Sequence, residues 1–238
     1  MIRNPAAERI RTPRPIQPIS MEHIQPLVTV DAVLLTLREG GLQVALHRRP
    51  AEPFRGLLAL PGGFVHADSD PSAEAAILRV LLDKTGFRPR YIEQLGVFSG
   101  PGRDPRAWSV AIAFVALVPE ASLNEAREGV FHFHGVDALP GLAFDHGAIV
   151  AAAVQRLRNK TRYSTLPTQL LPQRFTLSQL QATYEAIVGH PLNKAAFRRK
   201  IEDEGVVVAT EAHTQGGAHR PARLYEAHPV ELFDRSIA

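Results

Sequence analysis

The segment GRDPR, residues 102–106, concentrates charged groups that could bind a phosphate-containing ligand. Arginine suits bidentate contact with phosphate oxygens, so Arg103 and Arg106 are candidates for that contact. Asp104 lies between them and could accept a hydrogen bond from a ribose hydroxyl or orient one of the arginines. The alternative is a turn held together by an internal pair of Arg and Asp side chains.

The elements that would position these residues begin with a β-hairpin. The runs LVTVDAVLLTL and LQVALHRR flank Gly40 and Gly41, which favours two strands joined by a tight glycine turn. The second strand ends in Arg48 and Arg49. Both arginines are further phosphate candidates, although a solvated strand end would show the same residues.

A helix follows this hairpin after LLALPGGFV and a polar loop. Ser72 can cap its first turn and Gly86 can adopt the left-handed conformation that ends it, so the helix should extend from Ser72 to Thr85. Two further strands and a second helix, at about 145–160, continue the chain. The order of strands, helix, strands and helix predicts an α+β domain over residues 26–160.

The LPGGFV segment and the helix after it resemble the Nudix box. The positions that match that motif are Gly63, Arg79, Leu81, Gly86 and Phe87, with about two extra residues in the loop. The resemblance implies a mixed sheet within an α/β/α sandwich. It also implies a helix whose carboxylates hold divalent ions against a diphosphate, since Mg²⁺ prefers oxygen ligands.

The metal-binding positions of that motif are largely replaced in this sequence. The three glutamate positions after Arg79 hold Val80, Asp83 and Lys84, so one carboxylate is left and a cation stands beside it. Lys84 should repel a metal rather than hold it. The loop glutamate of the motif falls near Asp70 or Pro71. We therefore expect no catalytic residue, no metal and no resident cofactor, but a remaining ligand cleft.

The ligand-binding residues that we expect in this cleft combine the glycine segment, the helix arginine and the charged segments: Arg48, Gly62, Gly63, Phe64, Arg79, Arg103, Asp104 and Arg106.

The C-terminal part, residues 173–238, has the pattern of a second domain, after a linker at 161–172 with two prolines. Thr176 and Gln179 form a capping box before LQATYEAIVG, and the helix KAAFRRKIEDE follows a short turn. VVVAT and ARLYEA then predict a β-hairpin. Helix, turn, helix and hairpin in this order indicate a winged helix.

Basic residues of this second domain favour contact with DNA rather than a merely solvated surface. Phe197 and Ile201 should face the core, which leaves the cations of the same helix on its outer faces. Glu202 to Glu204 should point away from the duplex. The expected DNA-binding residues on the helix and wing are Lys194, Arg198, Arg199, Lys200, His219, Arg220 and Arg223.

From about Leu27 to Tyr225 the sequence is similar to the Nudix-related transcriptional regulators of NAD metabolism, the NrtR family. The segments that carry this resemblance are GRDPR, LPGLAFDH, RLRNKTRYSTLPTQLLPQRFTLSQLQATYEAIVG, FRRKI and GGAHRPARLY. It implies a repressor in which the Nudix domain senses a nucleotide, usually ADP-ribose, and the winged helix holds operator DNA. It also implies a homodimer on a palindromic site.

Composition is consistent with this hypothesis but does not prove it. The chain has 238 residues, a net charge of +3 and no cysteine, so disulfides and thiolate metal sites are excluded. No run is apolar for long enough to cross a membrane, which favours a cytoplasmic protein. Positive charge is in excess at both ends, and residues 1–25, rich in proline and arginine, suggest a flexible basic arm.

Two other functions remain open at this point. A Nudix hydrolase of ADP-ribose or a similar nucleoside diphosphate derivative would need carboxylates from outside the motif. A constitutive DNA-binding or scaffolding protein would carry a domain that binds no nucleotide. Histidines 132, 134 and 146 could suggest a metal site, but HFH fits a half-buried strand better.

Overall fold

The computed structural model describes residues 25–214 and 221–228 of the chain. The elements of the first unit are β1 (Leu27–Arg38), β2 (Gly41–Arg48), β3 (Leu58–Ala59), β4 (Gly62–Phe64), α1 (Ala73–Thr85), β5 (Tyr91–Gly100), β6 (Ser109–Leu117), α2 (Glu120–Leu123), β7 (His132–Gly135) and α3 (His146–Thr161). The expected basic arm lies almost entirely outside the described residues. Nothing in the described part is a helix with both the length and the hydropathy needed to cross a bilayer.

A mixed sheet organises the first unit. Its strand order is β3-β2-β1-β6-β5, with β4 paired to β1 and β7 paired to β2. The central pair β1 and β6 is parallel, whereas the other pairs are antiparallel. The expected strand HFH is confirmed as the half-buried β7.

The turn between β1 and β2 lies one residue earlier than predicted. Gly41 pairs with Arg38, so the two turn residues are Glu39 and Gly40, with φ angles of 52° and 76°. Positive φ at both central positions matches the twist of a hairpin. Glu39 therefore adopts the left-handed conformation that the sequence pattern assigns to glycine.

The two helices of this unit cover opposite faces of the sheet. Alternate residues of β1 point to opposite faces: Val30, Ala32 and Leu34 pack with α1, while Val33 and Leu35 pack with α3. The helix ends follow the predicted caps. The Ser72 hydroxyl accepts from the Ala75 backbone N–H, and Gly86 ends α1 with φ 70°. The predicted α/β/α sandwich is confirmed.

The second unit consists of α4 (Leu177–Val188), α5 (Lys194–Asp203), β8 (Val207–His213) and β9 (Arg223–Ala227). The capping box of Thr176 and Gln179 begins α4, and Asn193 caps α5 by accepting from the Ala196 backbone N–H. Phe197 and Ile201 are buried in a separate core, as predicted. The antiparallel pair β8 and β9 completes a winged helix.

The expected linker between the two units contains a 3-10 helix, Leu166–Leu170, which the sequence pattern does not predict. Leu166 and Leu170 are buried and belong to the same cluster as Ile187 of α4. The Tyr184 hydroxyl donates to the Ser164 carbonyl at 3.0 Å. The segment is therefore packed between α3 and α4, because its leucines complete a core that only the folded chain assembles.

Candidate ligand-binding cleft and nucleic-acid interface

A cleft with a volume of about 230 Å³ opens where β1, β4, the end of α1 and the start of α3 approach one another. Six residues of the predicted ligand set line it: Gly62, Gly63, Phe64, Arg103, Asp104 and Arg106. Its wall also contains Arg49 and eight residues that the sequence pattern does not single out as ligand contacts: Thr29, Asp31, Ala51, Glu52, Leu60, Lys84, Phe144 and His146.

Close packing of the backbone explains the two glycines of this cleft. A Cβ on Gly62 would lie 1.9 Å from Oδ1 of Asp31, and one on Gly63 would lie 3.0 Å from Cγ2 of Val80. The first position has no room for a side chain and the second almost none. These glycines therefore let β4 approach β1 and α1, and in doing so they form the floor of the cleft.

Both arginines of the GRDPR segment form ion pairs, one within the segment and one with Asp145. Arg106 donates from Nε and Nη2 to the Asp104 carboxylate at 2.9 and 2.6 Å, and its backbone N–H donates to Oδ1 at 3.0 Å. Arg103 donates to both oxygens of Asp145 at 2.9 and 2.7 Å. The Arg106 guanidinium holds the pKa of Asp104 below its usual value. Asp104 thus orients an arginine within a self-paired turn.

Arg48 and Arg79, which we expect among the ligand contacts, do not line this cleft. Arg79 donates to both oxygens of Asp70 at 2.8 and 2.7 Å and to the Phe64 carbonyl at 3.1 Å. This guanidinium holds the pKa of Asp70 well below its usual range. Arg48 donates to the Gly56 carbonyl at 2.6 Å. Asp70, rather than its neighbour, is the loop carboxylate that pairs with the helix arginine.

A buried acid and a buried imidazole face each other inside the cleft. Nε2 of His146 lies 3.7 Å from Oδ1 of Asp31, and Nδ1 of His146 accepts from the Leu60 backbone N–H at 2.9 Å. Desolvation raises the pKa of Asp31 to about 7, although nearby Arg103 opposes this, and desolvation lowers the pKa of His146 to about 3. Between about pH 3 and pH 7 the pair is therefore mostly uncharged.

Aromatic rings and cations meet at the mouth of the cleft. The Arg49 guanidinium lies 4.6 Å from the ring centroid of Phe144, and that of Arg106 lies 5.1 Å from the ring centroid of Phe64. Cation–π attraction favours these positions of the two guanidinium groups. Phe144 belongs to the LPGLAFDH segment, so a residue that carries only family resemblance in the sequence is a wall of the cleft in the structure.

The side chains around the cleft do not fit a divalent ion of the Nudix type. Val80 is 3% exposed and packs on Gly63. The Asp83 carboxylate is 63% exposed and lies 3.8 Å from Arg79. Within residues 25–214 and 221–228, no three His, Asp or Glu side chains are grouped so that they could hold a metal. The Lys84 ammonium donates to the Gly62 carbonyl at the cleft wall.

The outer face of α5 presents part of the predicted DNA-binding set. Lys194 and Arg199 are exposed, whereas Arg198 is half-buried. Nζ of Lys200 lies 2.9 Å from Oε1 of Glu204, one turn further along the helix. The sites most accessible to a phosphate backbone are therefore Lys194 and Arg199.

The wing carries the remaining predicted DNA contacts. His219 and Arg220 lie outside the described residues. Arg223 begins β9, and its Nε donates to the Thr210 carbonyl at 2.9 Å across the hairpin. Its side chain is 48% exposed, and Nη2 lies 3.6 Å from Glu211. Arg223 is accessible but already partly engaged within the hairpin.

Comparison with known proteins agrees with this architecture. The NUDIX domain model matches residues 26–163, and the NrtR DNA-binding winged helix domain model matches residues 167–227. The chain is 41% identical over 208 residues to the ADPR responsive transcriptional repressor NtrR of Acinetobacter baylyi, covering 86% of this chain and 83% of that protein. The chain belongs to the NrtR family. The predicted family and fold class are both confirmed.

Solved structures of the NrtR family resemble the two units together and the first unit alone. Shewanella oneidensis NrtR complexed with a 27mer DNA is 35% identical, with a TM-score of 0.79 over 88% of this chain and 98% of that chain. The NUDIX domain of the same protein complexed with ADP ribose is 37% identical, with a TM-score of 0.50 over 57% of this chain and 90% of that chain.

Proposed function

We propose that this protein is a DNA-binding transcriptional repressor of NAD or related nucleotide metabolism, controlled by a nucleotide effector such as ADP-ribose. The observation that carries the proposal is the relative named as an ADPR responsive repressor, which is 41% identical over both units of the chain. A second, structural match was solved with DNA bound. The winged helix would hold the operator, and the Nudix cleft would hold the effector.

The cleft has the chemistry that a nucleotide effector requires. Arg103, Asp104 and Arg106 line it, with Arg106 over the Phe64 ring, and the glycines Gly62 and Gly63 form the floor. Guanidinium groups suit diphosphate oxygens, while an aromatic ring can contact a base. On the DNA side, the exposed cations of α5 would meet phosphate oxygens or base edges in the major groove.

The same cleft favours a sensor over an enzyme. A Nudix hydrolase needs several carboxylates around a divalent ion, but the corresponding positions hold the buried Val80, the exposed Asp83 and the cation Lys84. We propose that efficient metal-dependent hydrolysis does not occur here and that the domain works without a resident cofactor.

Control of DNA binding by a ligand requires that the two binding sites be thermodynamically coupled. We propose that the protein is a homodimer on a palindromic operator, since a two-fold protein matches a two-fold site. The effector would favour a dimer geometry in which the recognition helices no longer match the operator spacing, and operator affinity would fall.

The test is a fluorescence-anisotropy titration with DNA from the upstream region of the protein's own gene, at fixed salt, with and without ADP-ribose. We expect tight, sequence-selective binding that ADP-ribose weakens. Selective binding that does not respond to ADP-ribose would keep the DNA-binding role and reject this effector. Loss of selective binding together with turnover of ADP-ribose in Mg²⁺ would instead favour the hydrolase.

A further inference from the structure

Two cations of the cleft wall carry charge that no carboxylate within salt-bridge distance neutralises in the described part of the chain. The other two arginines of the wall are in the ion pairs given above. Arg49 instead donates to the backbone carbonyls of Pro53 and Ala51, at 2.8 and 3.4 Å. Lys84 donates to the backbone carbonyl of Gly62. Both charges therefore remain available to an anionic ligand.

Each of these two cations is repelled by a neighbouring arginine, an effect that the Asp31 carboxylate opposes in both cases. Lys84 is exposed as a whole residue, but protein atoms around its ammonium remove water from it, and this desolvation, followed by the charge of Arg49, lowers its pKa. Desolvation, followed by the charge of Arg106, lowers the pKa of Arg49. A bound anion would relieve this repulsion and stabilise both charged forms.

Lys84 also occupies a position with a defined role in the motif. It stands where the Nudix box has a metal-binding glutamate, and its ammonium contacts the backbone of Gly62 on the floor of the cleft. A cation is therefore fixed by the chain itself on the side of the cleft where a hydrolase would recruit one from solution.

We propose that Lys84 takes the place of the divalent ion and that, with Arg49, it binds the diphosphate of the effector directly, without metal. This inference rests on the proposed nucleotide effector, whose diphosphate supplies the anion. The Lys84 ammonium has three donors and uses one on Gly62, so two remain for phosphate oxygens. The Arg49 guanidinium, which lies 4.6 Å from the ring centroid of Phe144, can supply a bidentate contact.

The test is calorimetric titration of the full chain with ADP-ribose, in EDTA and in Mg²⁺, and with inorganic pyrophosphate in EDTA. Wild-type protein should bind ADP-ribose with the same affinity in EDTA and in Mg²⁺. Lys84→Met should lower the affinity for both ligands about tenfold or more, the usual effect of losing a charge-assisted hydrogen bond. Lys84→Arg, which keeps the charge, should stay within a few-fold of wild type.

Arg88→Met is the matched control, because it removes one exposed cation just beyond α1 without touching the cleft. It should leave both affinities unchanged, and thermal unfolding should show that all variants are folded. Equal binding of ADP-ribose by Lys84→Met and wild type would overturn the inference but not the proposed effector, and so would a requirement for Mg²⁺.

The pyrophosphate titration separates the remaining outcomes. Binding of pyrophosphate that depends on Lys84, without binding of ADP-ribose, would support the metal-free anion site and reject ADP-ribose as the effector. Failure of wild-type protein to bind either ligand would overturn the inference itself.

Discussion

The carboxyl group of Asp31 lies within β1, in a run of otherwise apolar residues, and forms part of the cleft. Burial disfavours its charged form, so its pKa rises from 3.8 to about 7 in the folded protein. The facing His146 stays neutral because burial lowers its pKa. Below about pH 7, a neutral acid beside a neutral imidazole limits negative charge in a cleft that we propose to bind a diphosphate.

The Asp31 carboxyl should make folding stability depend on pH. Because its pKa is higher in the folded state than in the unfolded state, its contribution is fully present below about pH 4 and is lost as the pH rises to about 7. We expect Asp31→Asn to gain stability relative to wild type over this interval and to keep a constant advantage above it. Urea unfolding at a series of pH values measures this difference.

The opposite pH effect of His146 does not obscure the comparison. Its lowered pKa removes stability as the pH falls below its ordinary value of 6.5, but it is present in both proteins and largely cancels in the difference. Unfolding free energies of wild type and Asp31→Asn that run parallel from pH 4 to pH 7 would show that Asp31 ionises normally in the fold.

Elements whose ends depend on local chemistry could be predicted from the sequence. Ser72, Gly86 and the capping box at Thr176 each satisfy backbone groups within a few residues, and the structure confirms all three predicted caps. The 3-10 helix at Leu166–Leu170 could not be predicted, because its burial depends on α3 and α4 together. The sequence thus predicts the type of an element better than it predicts the contacts between elements.

The same distinction applies to the cleft. Six residues of GRDPR and LPGGFV that we expect in the cleft line it in the structure. They could be predicted because each lies in a segment with a recognisable sequence pattern. Arg79 instead donates to Asp70, which lies nine residues before it. This pairing depends on the path of the loop between them. Asp31 and Phe144 meet the cleft only through the tertiary fold, so no local signal marks them.

The ion pair between Lys200 and Glu204 predicts unequal roles for the cations of α5. Arg199→Ala should weaken operator binding, because the Arg199 side chain is exposed and can reach a phosphate. It should also reduce the slope of log affinity against log salt concentration by about the amount due to one phosphate contact. Lys200→Ala should have a smaller effect, since Lys200 already pairs with Glu204. Anisotropy titrations at several salt concentrations test this order. An equal loss in both variants would mean that the pair of Lys200 opens on DNA.

Helix α3 connects the cleft to the winged helix within the whole molecule. Its first residue, His146, lies in the cleft, and near its end Arg158 donates from Nε to the Ile187 carbonyl of α4 at 3.2 Å. With 16 residues at about 1.5 Å each, it spans about 24 Å. A rigid helix between two sites can transmit a small shift at one end to the other.

Loss of the Arg158 contact should weaken communication between the sites more than either site itself. We expect Arg158→Met to bind operator and ADP-ribose nearly as wild type does, while ADP-ribose releases the DNA less completely. Arg156→Met is the control, because Arg156 contacts Leu95 and Glu93 and, among the described residues, has no hydrogen bond or ion pair to the winged helix. Equal release of DNA in all three proteins would exclude the contact between Arg158 and Ile187 as the connection.

The packing of Val80 on Gly63 has a consequence for how such a protein can evolve. Val80 is 3% exposed, so a single change to glutamate would place a charge in the core. The cost of burying that charge would destabilise the fold. A change of Lys84 alone would remove a cation from the ligand and still leave too few carboxylates. No single substitution at either position would therefore rebuild a set of carboxylates for a divalent ion, so the proposed ligand-binding role is protected against a one-step change to hydrolysis.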